Sequence, residues 1–342
     1  MQGGLVISFP PIVIPIFISN LGCPNRCIFC DQTQYSASIA PEAVRAEALS
    51  FIGKCREPKK RQRILAFYGG TFTGLDKKLL DEYLKEARRL LDEGVIHGVK
   101  ASTRPDMVDE NIIAKLADAG FVELELGVQS MDDNVLTASG RGHQASHSER
   151  AAEIIKSSGL KLGIQIMPGL PLEDGQSFMM TVDKVVAMKP DTARIYPAVV
   201  IKNTAMEHMF EEGRYVPLTL DEAVKRAFYA YTSLTGIDAA ILRMGLPPGN
   251  IDIVSGPYHE AFGMLVAAYG YRLLAKKLCD LTGARLFFAH PSQVPSVIGF
   301  KRQNATELNF KVEKDDDVPI CSLRAENITV NFRDILDLCF AS

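Results

Sequence analysis

Net charge of either sign is almost absent: 38 lysines and arginines stand against 41 aspartates and glutamates, a balance of −3. A protein that held nucleic acid by bulk charge alone would need a large positive excess. That class is excluded, and only a local basic patch stays open. Also absent is an apolar run of membrane-spanning length. Residues 5–19 come nearest, but the run is too short, and Pro10, Pro11 and Pro15 interrupt it. It carries no basic leader and no small-residue cleavage site. Residues 12–19 are read instead as a buried strand, and a soluble, cytoplasmic protein without a membrane partner is expected. There is no short-period repeat and no low-complexity segment. The 342 residues are 47% apolar, enough to bury a sizeable core without disulfides. Seven cysteines are an odd number in a chain too long for a small disulfide scaffold. That pattern fits reduced thiols, some kept for metal or redox work.

What is present is alternation. Strand-like runs at 12–19, 64–68, 98–102, 122–128, 161–167 and 192–196 are interleaved with helical periodicity at 76–91, 109–119, 146–157 and 176–188, and a further helix covers 220–234. This predicts a parallel sheet with helical crossovers, either doubly wound or an incomplete barrel. The glycine and proline punctuation falls mainly after the strands, on the edge where such folds gather ligands. Around residues 247–253 the pattern changes. A long helix (258–281) leads to a strand (285–289), a helix (292–298), a basic turn (299–302), a helix (304–309), two strands and a last helix (333–340). Residues 1–254 therefore read as the main domain, and 255–342 as a small second α/β domain.

The sharpest local signal is Cys23-Pro-Asn-Arg-Cys27-Ile-Phe-Cys30, a C-x3-C-x2-C run in the loop after the first strand. Three thiolates so close in sequence can grip one inorganic centre. The nearest histidine is His97, and a closed zinc site wants four ligands. Three cysteines point to a 4Fe-4S cluster with one iron open to a ligand. A zinc site completed by a distant residue, or three unligated thiols, are the alternatives. Cys55, Cys279, Cys321 and Cys339 are scattered singly and are expected to be plainly buried.

This spacing resembles the signature of the radical S-adenosylmethionine (SAM) superfamily. Phe29 matches the aromatic position common there, and Tyr68-Gly69-Gly70-Thr71-Phe72-Thr73 resembles its Gly-Gly turn. Over about residues 12–250 the succession Thr103-Arg104-Pro105-Asp106, Leu124-Glu125-Leu126-Gly127-Val128-Gln129-Ser130, Arg141-Gly142-His143, Met167-Pro168-Gly169-Leu170-Pro171, Ile195-Tyr196-Pro197 and Val200-Ile201-Lys202-Asn203-Thr204 is similar to the radical-SAM half of the elongator catalytic subunit. It is similar, more distantly, to oxygen-independent coproporphyrinogen III oxidase. The cysteine spacing here is more compact than the elongator subunit's. Residues 255–342 are too few for its acetyltransferase half, so acetyl transfer is not expected.

The resemblance implies a partial (β/α)6 TIM-type barrel with a small C-terminal α/β domain. It implies a 4Fe-4S cluster on Cys23, Cys27 and Cys30, SAM as cofactor, and a reduced flavodoxin- or ferredoxin-type electron donor. Reductive cleavage of SAM would give methionine and a 5′-deoxyadenosyl radical for hydrogen abstraction. Gly69, Gly70 and Thr71 would meet SAM through backbone groups. Gln129 would contact SAM from the mouth of its strand; Glu125, on the same face, is a SAM-side group or a structural carboxylate. Thr103 and Arg104 would hold a ribose or carboxylate, the alternative for Arg104 being a surface salt bridge. Met167 and Tyr196 would line the adenine, unless Met167 only packs. Lys202 is a cation for substrate or SAM carboxylate, or a solvated lysine. His143 and His147, four apart, are read as a helix-face pair without a second metal. The run Asp315–Asp317 is read as a solvated loop.

The tail 295–304 is similar to the helix–turn–helix of a KH RNA-binding module, with Arg302 in place of the second glycine of its GXXG loop. A plain capping domain is the alternative. Three functions are therefore weighed: a radical SAM enzyme acting on RNA, one acting on a small or porphyrin-like molecule, and a non-catalytic Fe–S or zinc protein.

Overall fold

The computed structural model describes residues 10–31, 37–247, 249 and 251–338. Cys339, the start of the apolar run at 5–9 and the end of the last expected helix lie outside the described residues. In chain order the strands are β1 (Ile12–Phe17), β2 (Arg63–Tyr68), β3 (Gly98–Thr103), β4 (Phe121–Gln129), β5 (Lys161–Ile166), β6 (Thr192–Ile195), β7 (Val200–Ile201), β8 (Ala240–Met244), β9 (Ile253–Ser255), β10 (Leu286–Ala289), β11 (Lys311–Lys314), β12 (Ser322–Ala325) and β13 (Ile328–Asn331). The helices are α1 (Val44–Gly53), α2 (Lys77–Asp92), α3 (Glu110–Asp118), α4 (Asp133–Ala138), α5 (Ala145–Ser157), α6 (Gly175–Ala187), α7 (Ala205–Glu211), α8 (Leu220–Thr235), α9 (Phe262–Thr282), α10 (Val294–Ile298) and α11 (Gln303–Glu307).

The fold is α/β. One sheet runs β1-β2-β3-β4-β5-β6-β8 in chain order, a parallel partial barrel. All six expected strands are in it. The seventh, β8, is a five-residue edge strand whose side chains are all at least partly exposed, so it lacks the buried apolar run that marks the others. Along β4, Leu124, Leu126 and Val128 are buried on one face and Glu123 and Glu125 on the other. Register pairs Lys100 with Glu123 and Ser102 with Glu125. Lys100 Nζ lies 3.7 Å from Glu123 Oε1, and Ser102 Oγ donates to Glu125 Oε1 at 3.3 Å. Buried charges of this kind persist because they are paired.

The chain divides into two compact units. One holds residues 1–128, 140–165 and 249–252; the other holds 129–139, 166–248 and 253–342. In the first, α2 starts at Asp76, whose carboxylate caps Leu79 N at 3.0 Å, and buries the stripe Leu80, Tyr83, Leu84, Ala87 and Leu90. In the second, α8 starts with a Thr219–Glu222 capping box. Phe228 and Tyr271 each pack edge-on against Phe332 with ring centroids 5.0 Å apart.

The second unit also contains the small sheet β11-β10-β12-β13. Strands β10 and β11 are parallel; β12 is antiparallel to β10 and to β13. The sequence pattern expected two strands after the basic turn and a closing helix. The structure has three strands and a closing 3-10 segment, Phe332–Leu338. The additional strand, Lys-Val-Glu-Lys, has no buried side chain and so shows no apolar alternation. Among the described residues no helix is long and apolar enough to cross a membrane.

Candidate functional site

The cysteine loop leaves the C-terminal end of β1 and is fixed from behind by the turn that leaves β2. Asn20 N donates to Gly69 O at 2.8 Å, and Thr71 N donates to Leu21 O at 2.9 Å. Gly69 has φ +87, a conformation glycine adopts without steric cost. A Cβ on Gly70 would fall 2.5 Å from the carbonyl oxygens of both Ile18 and Leu21. The Gly-Gly pair is therefore what lets the two loops touch backbone to backbone.

Phe29 is buried, Cys23 is exposed, and Cys27 and Cys30 are half-buried. Cys23 Sγ lies 3.2 Å from the buried Thr71 hydroxyl. Cys27 Sγ accepts from Arg141 Nη1 at 3.1 Å, and Arg141 Nη2 donates to Gly127 O at 2.5 Å. The three thiols do not converge: among the described residues no three Cys, His, Asp or Glu side chains gather into one metal-holding group.

Beside this loop lies a set of buried cations. Arg104 is 4% exposed and forks onto Asp106, with Nε to Oδ1 at 3.0 Å and Nη2 to Oδ2 at 2.9 Å. The surface salt bridge weighed for Arg104 is thus a buried one. Arg104 Nη1, Arg141 Nε and both ring nitrogens of His143 are buried without a hydrogen-bond partner among the described residues. Burial and the Arg141 charge push the His143 imidazole down to about 3, against the pull of Asp106, so it is neutral at pH 7. The Asn25 amide of the cysteine loop occupies the place where a Gly142 Cβ would be, and Gly142 has φ +67. His147 lies on α5 and accepts from Gln144 N through Nδ1 at 3.1 Å, whereas His143 precedes that helix. The two histidines therefore do not share a helix face. Thr103 is buried, with its hydroxyl 2.5 Å from that of Thr73.

The remaining candidates fall in the second unit. Gln129 ends β4 with φ +66, so the strict side-chain alternation from Glu125 stops there. Its carbonyl accepts from Met167 N at 2.9 Å, and Tyr196 N donates to Ile166 O at 3.0 Å. Three successive strand ends are thereby laced together. Tyr196 OH accepts from Arg194 Nη1 at 3.0 Å. Lys202 is exposed, just after β7.

Comparison with known proteins then assigns the family. The model of the radical SAM superfamily matches residues 17–185, and that of the radical SAM C-terminal domain matches residues 190–272. An uncharacterized protein of Methanocaldococcus jannaschii is 31% identical over 218 residues, which cover 61% of this chain and 67% of that protein. The chain belongs to the radical SAM superfamily. The tRNA uridine(34) acetyltransferase of M. jannaschii is 26% identical over 309 residues, 74% of this chain and 56% of that protein. The chain thus spans little more than half the length of this curated relative. The archaeal Elp3 structure from Methanocaldococcus infernus shares the fold, with a TM-score of 0.63 and 21% identity over 82% of this chain and 64% of that one.

In this radical SAM enzyme the donor chemistry of the cysteine loop fits an iron–sulfur cluster. Residues 23–30 offer three sulfurs and no carboxylate or imidazole. A guanidinium already donates to one of the sulfurs, the kind of contact that tunes such clusters. In the sequence Arg141 stands only within a motif and His143 is also paired with His147, and neither reading points to the cysteine loop. No local pattern links the Arg-Gly-His turn to a loop more than a hundred residues earlier, so the sequence carries no signal for this contact. The single cysteines are only half-buried: Cys55 Sγ donates to Phe51 O, Cys279 Sγ accepts from Arg285, and Cys321 Sγ touches the Tyr231 hydroxyl. Asp315 is ion-paired with Arg324 and accepts from Asp317 N, while Asp316 and Asp317 are exposed, as a solvated loop requires.

Proposed function

We propose that this radical SAM enzyme holds a 4Fe-4S cluster on Cys23, Cys27 and Cys30 and binds SAM beside it. Its reaction abstracts hydrogen from an RNA substrate, with tRNA as the class. The observation that carries the reading is the three-cysteine loop seated on the Gly69-Gly70-Thr71 turn with Arg141 on the Cys27 sulfur. When bound, the cluster and SAM would supply one-electron chemistry, the reductive cleavage of a carbon–sulfur bond of SAM with an electron from a flavodoxin- or ferredoxin-type donor.

The chain's own residues bind and orient. Arg104 Nη1 and Arg141 Nε are buried N–H donors with no partner among the described residues, and they suit a carboxylate such as the one SAM carries. Neutral His143 offers one N–H and one lone pair beside them. Gly69, Gly70 and Thr71 present backbone groups, and Thr103 presents a hydroxyl. Gln129, Met167 and Tyr196, at laced strand ends, would flank adenine and ribose, with Phe29 packing under the loop. Lys202 is exposed and suits an anionic substrate.

RNA as substrate is supported by the tRNA-acting relatives and by the basic turn Lys301-Arg302. Both of its residues sit in the left-handed region, with Lys301 Nζ 5.5 Å from the Phe300 ring centroid. The test is 5′-deoxyadenosine formation by anaerobically reconstituted, reduced protein with and without bulk tRNA. Stimulation by tRNA is expected. No stimulation, together with no RNA binding at low salt, would replace RNA by a small-molecule substrate.

A further inference from the structure

Charge is nearly balanced over the chain, yet it is concentrated in one place. Residues 54–63 carry six basic side chains, Lys54, Arg56, Lys59, Lys60, Arg61 and Arg63, against one acid, Glu57. The segment links α1 to β2 through a 3-10 turn, Pro58–Lys60. Lys60 takes Glu57, at 2.5 Å.

Arg61 and Arg63 are fixed without being neutralised. Arg61 donates to Pro10 O at 2.7 Å and to Pro11 O at 3.5 Å. Arg63 donates to Val95 O at 2.6 Å, Gly94 O at 2.8 Å and Pro58 O at 3.0 Å. Carbonyls satisfy the N–H groups but leave the positive charges standing. Lys54, Arg56 and Lys59 are exposed and make no ion pair with any described residue. The result is a ridge with two anchored guanidinia at its base and three unpaired cations in solvent.

Its position narrows the ligand. The ridge lies at the N-terminal ends of β1 and β2, whereas the cysteine loop leaves the C-terminal end of β1. Six residues of strand put the two edges about 20 Å apart. A small molecule on the ridge would be out of reach of the reacting atoms. A protein electron donor has to approach the cysteine loop, not the opposite edge. A long polyanion can touch both.

We propose that residues 54–63 contact the phosphate backbone of the RNA substrate while its reacting nucleotide occupies the opposite edge. This inference rests on the RNA reading above.

The test uses the full-length reconstituted enzyme, as wild type and as the triple variant K54Q/R56Q/K59Q, which touches no residue assigned to the cysteine loop or SAM. Bulk tRNA binding is followed by fluorescence anisotropy over a salt series, with RNA-independent SAM cleavage measured in parallel. The variant should bind about ten-fold more weakly at low salt, with a log–log salt slope smaller by about 2 to 3, as expected for three lost phosphate contacts. Its RNA-independent cleavage should be unchanged. Wild-type affinity and slope in the triple variant would overturn the ridge and leave the RNA reading standing. Failure of the wild type itself to bind tRNA would overturn both. Loss of flavodoxin binding in the variant, with tRNA binding intact, would make the ridge a protein contact and overturn the proposal.

Discussion

Glu173 offers a quantitative test because its burial and its partners pull in opposite directions. Its side chain is inaccessible to solvent. Oε1 accepts from Gly169 N at 2.6 Å and from Arg226 Nη1 at 2.5 Å, while Oε2 is buried with no partner among the described residues. Burial is the larger effect and pushes the carboxyl from the ordinary 4.5 up to about 7, against the pull of Gly169 and Arg226 and with a small push from Asp174. A raised acid makes the folded state the better proton binder. Stability is therefore undiminished below about pH 4.5, falls as pH rises towards about 7, and is flat above it. At 1.36 kcal/mol per unit the total fall is about 3 kcal/mol. Glu173→Gln keeps the shape and an acceptor for Gly169 N but cannot ionise. Urea unfolding of both proteins at pH 4.5, 5.5, 6.5 and 7.5 isolates the effect as the difference between them. The wild type should lose about 3 kcal/mol relative to the variant across that window. A pH-independent difference would rule out the raised carboxyl, and a wild type that gained on the variant as pH rose would mean the Arg226 ion pair outweighs burial.

Three further outcomes follow from the same geometry. Gly70→Ala drives a methyl into two backbone carbonyls and should cost about 1–3 kcal/mol. Its readout is iron bound per chain after reconstitution, which should fall; full loading would show that the loop contact is not needed. Arg141→Leu removes the donor to Cys27 and to Gly127 O. It should lower the reduction potential of the proposed cluster in a redox titration followed by electron paramagnetic resonance, and an unchanged potential would remove Arg141 from that cluster's surroundings. Tyr215→Phe deletes a buried hydrogen bond to Gly169 O, 2.6 Å in the folded chain. It should destabilise by about 1–2 kcal/mol in urea unfolding, and no change would show the loop after β5 to be held by Glu173 alone.

The strands and long helices were legible because each carries a continuous buried stripe or run. The expected 98–102 became Gly98–Thr103, and 220–234 became Leu220–Thr235. The misses have the opposite character. Helix α1 buries only Val44 and Ala48, and α7 only Met206, so neither shows the periodicity that betrays a helix in sequence. The cysteine loop was legible because its spacing is local. Its support was not: Arg141 reaches Cys27 and Arg226 reaches Glu173 across long stretches of chain, and no pattern within a window links them. The Gly-Gly turn lies between these cases. Its composition marked a turn, but only the packing showed that Gly70 faces the carbonyls of Ile18 and Leu21.

Cys23, Cys27 and Cys30 are proposed to support reductive cleavage of SAM together. The direct measurement is 5′-deoxyadenosine released per hour by anaerobically reconstituted, dithionite-reduced protein, beside a Cys27→Ala control prepared identically. Expected are release by the wild type, iron and sulfide at about four each per chain, and neither product nor full iron in the variant. A wild type that loads four irons yet releases nothing, or a variant that cleaves SAM as fast as the wild type, would contradict it.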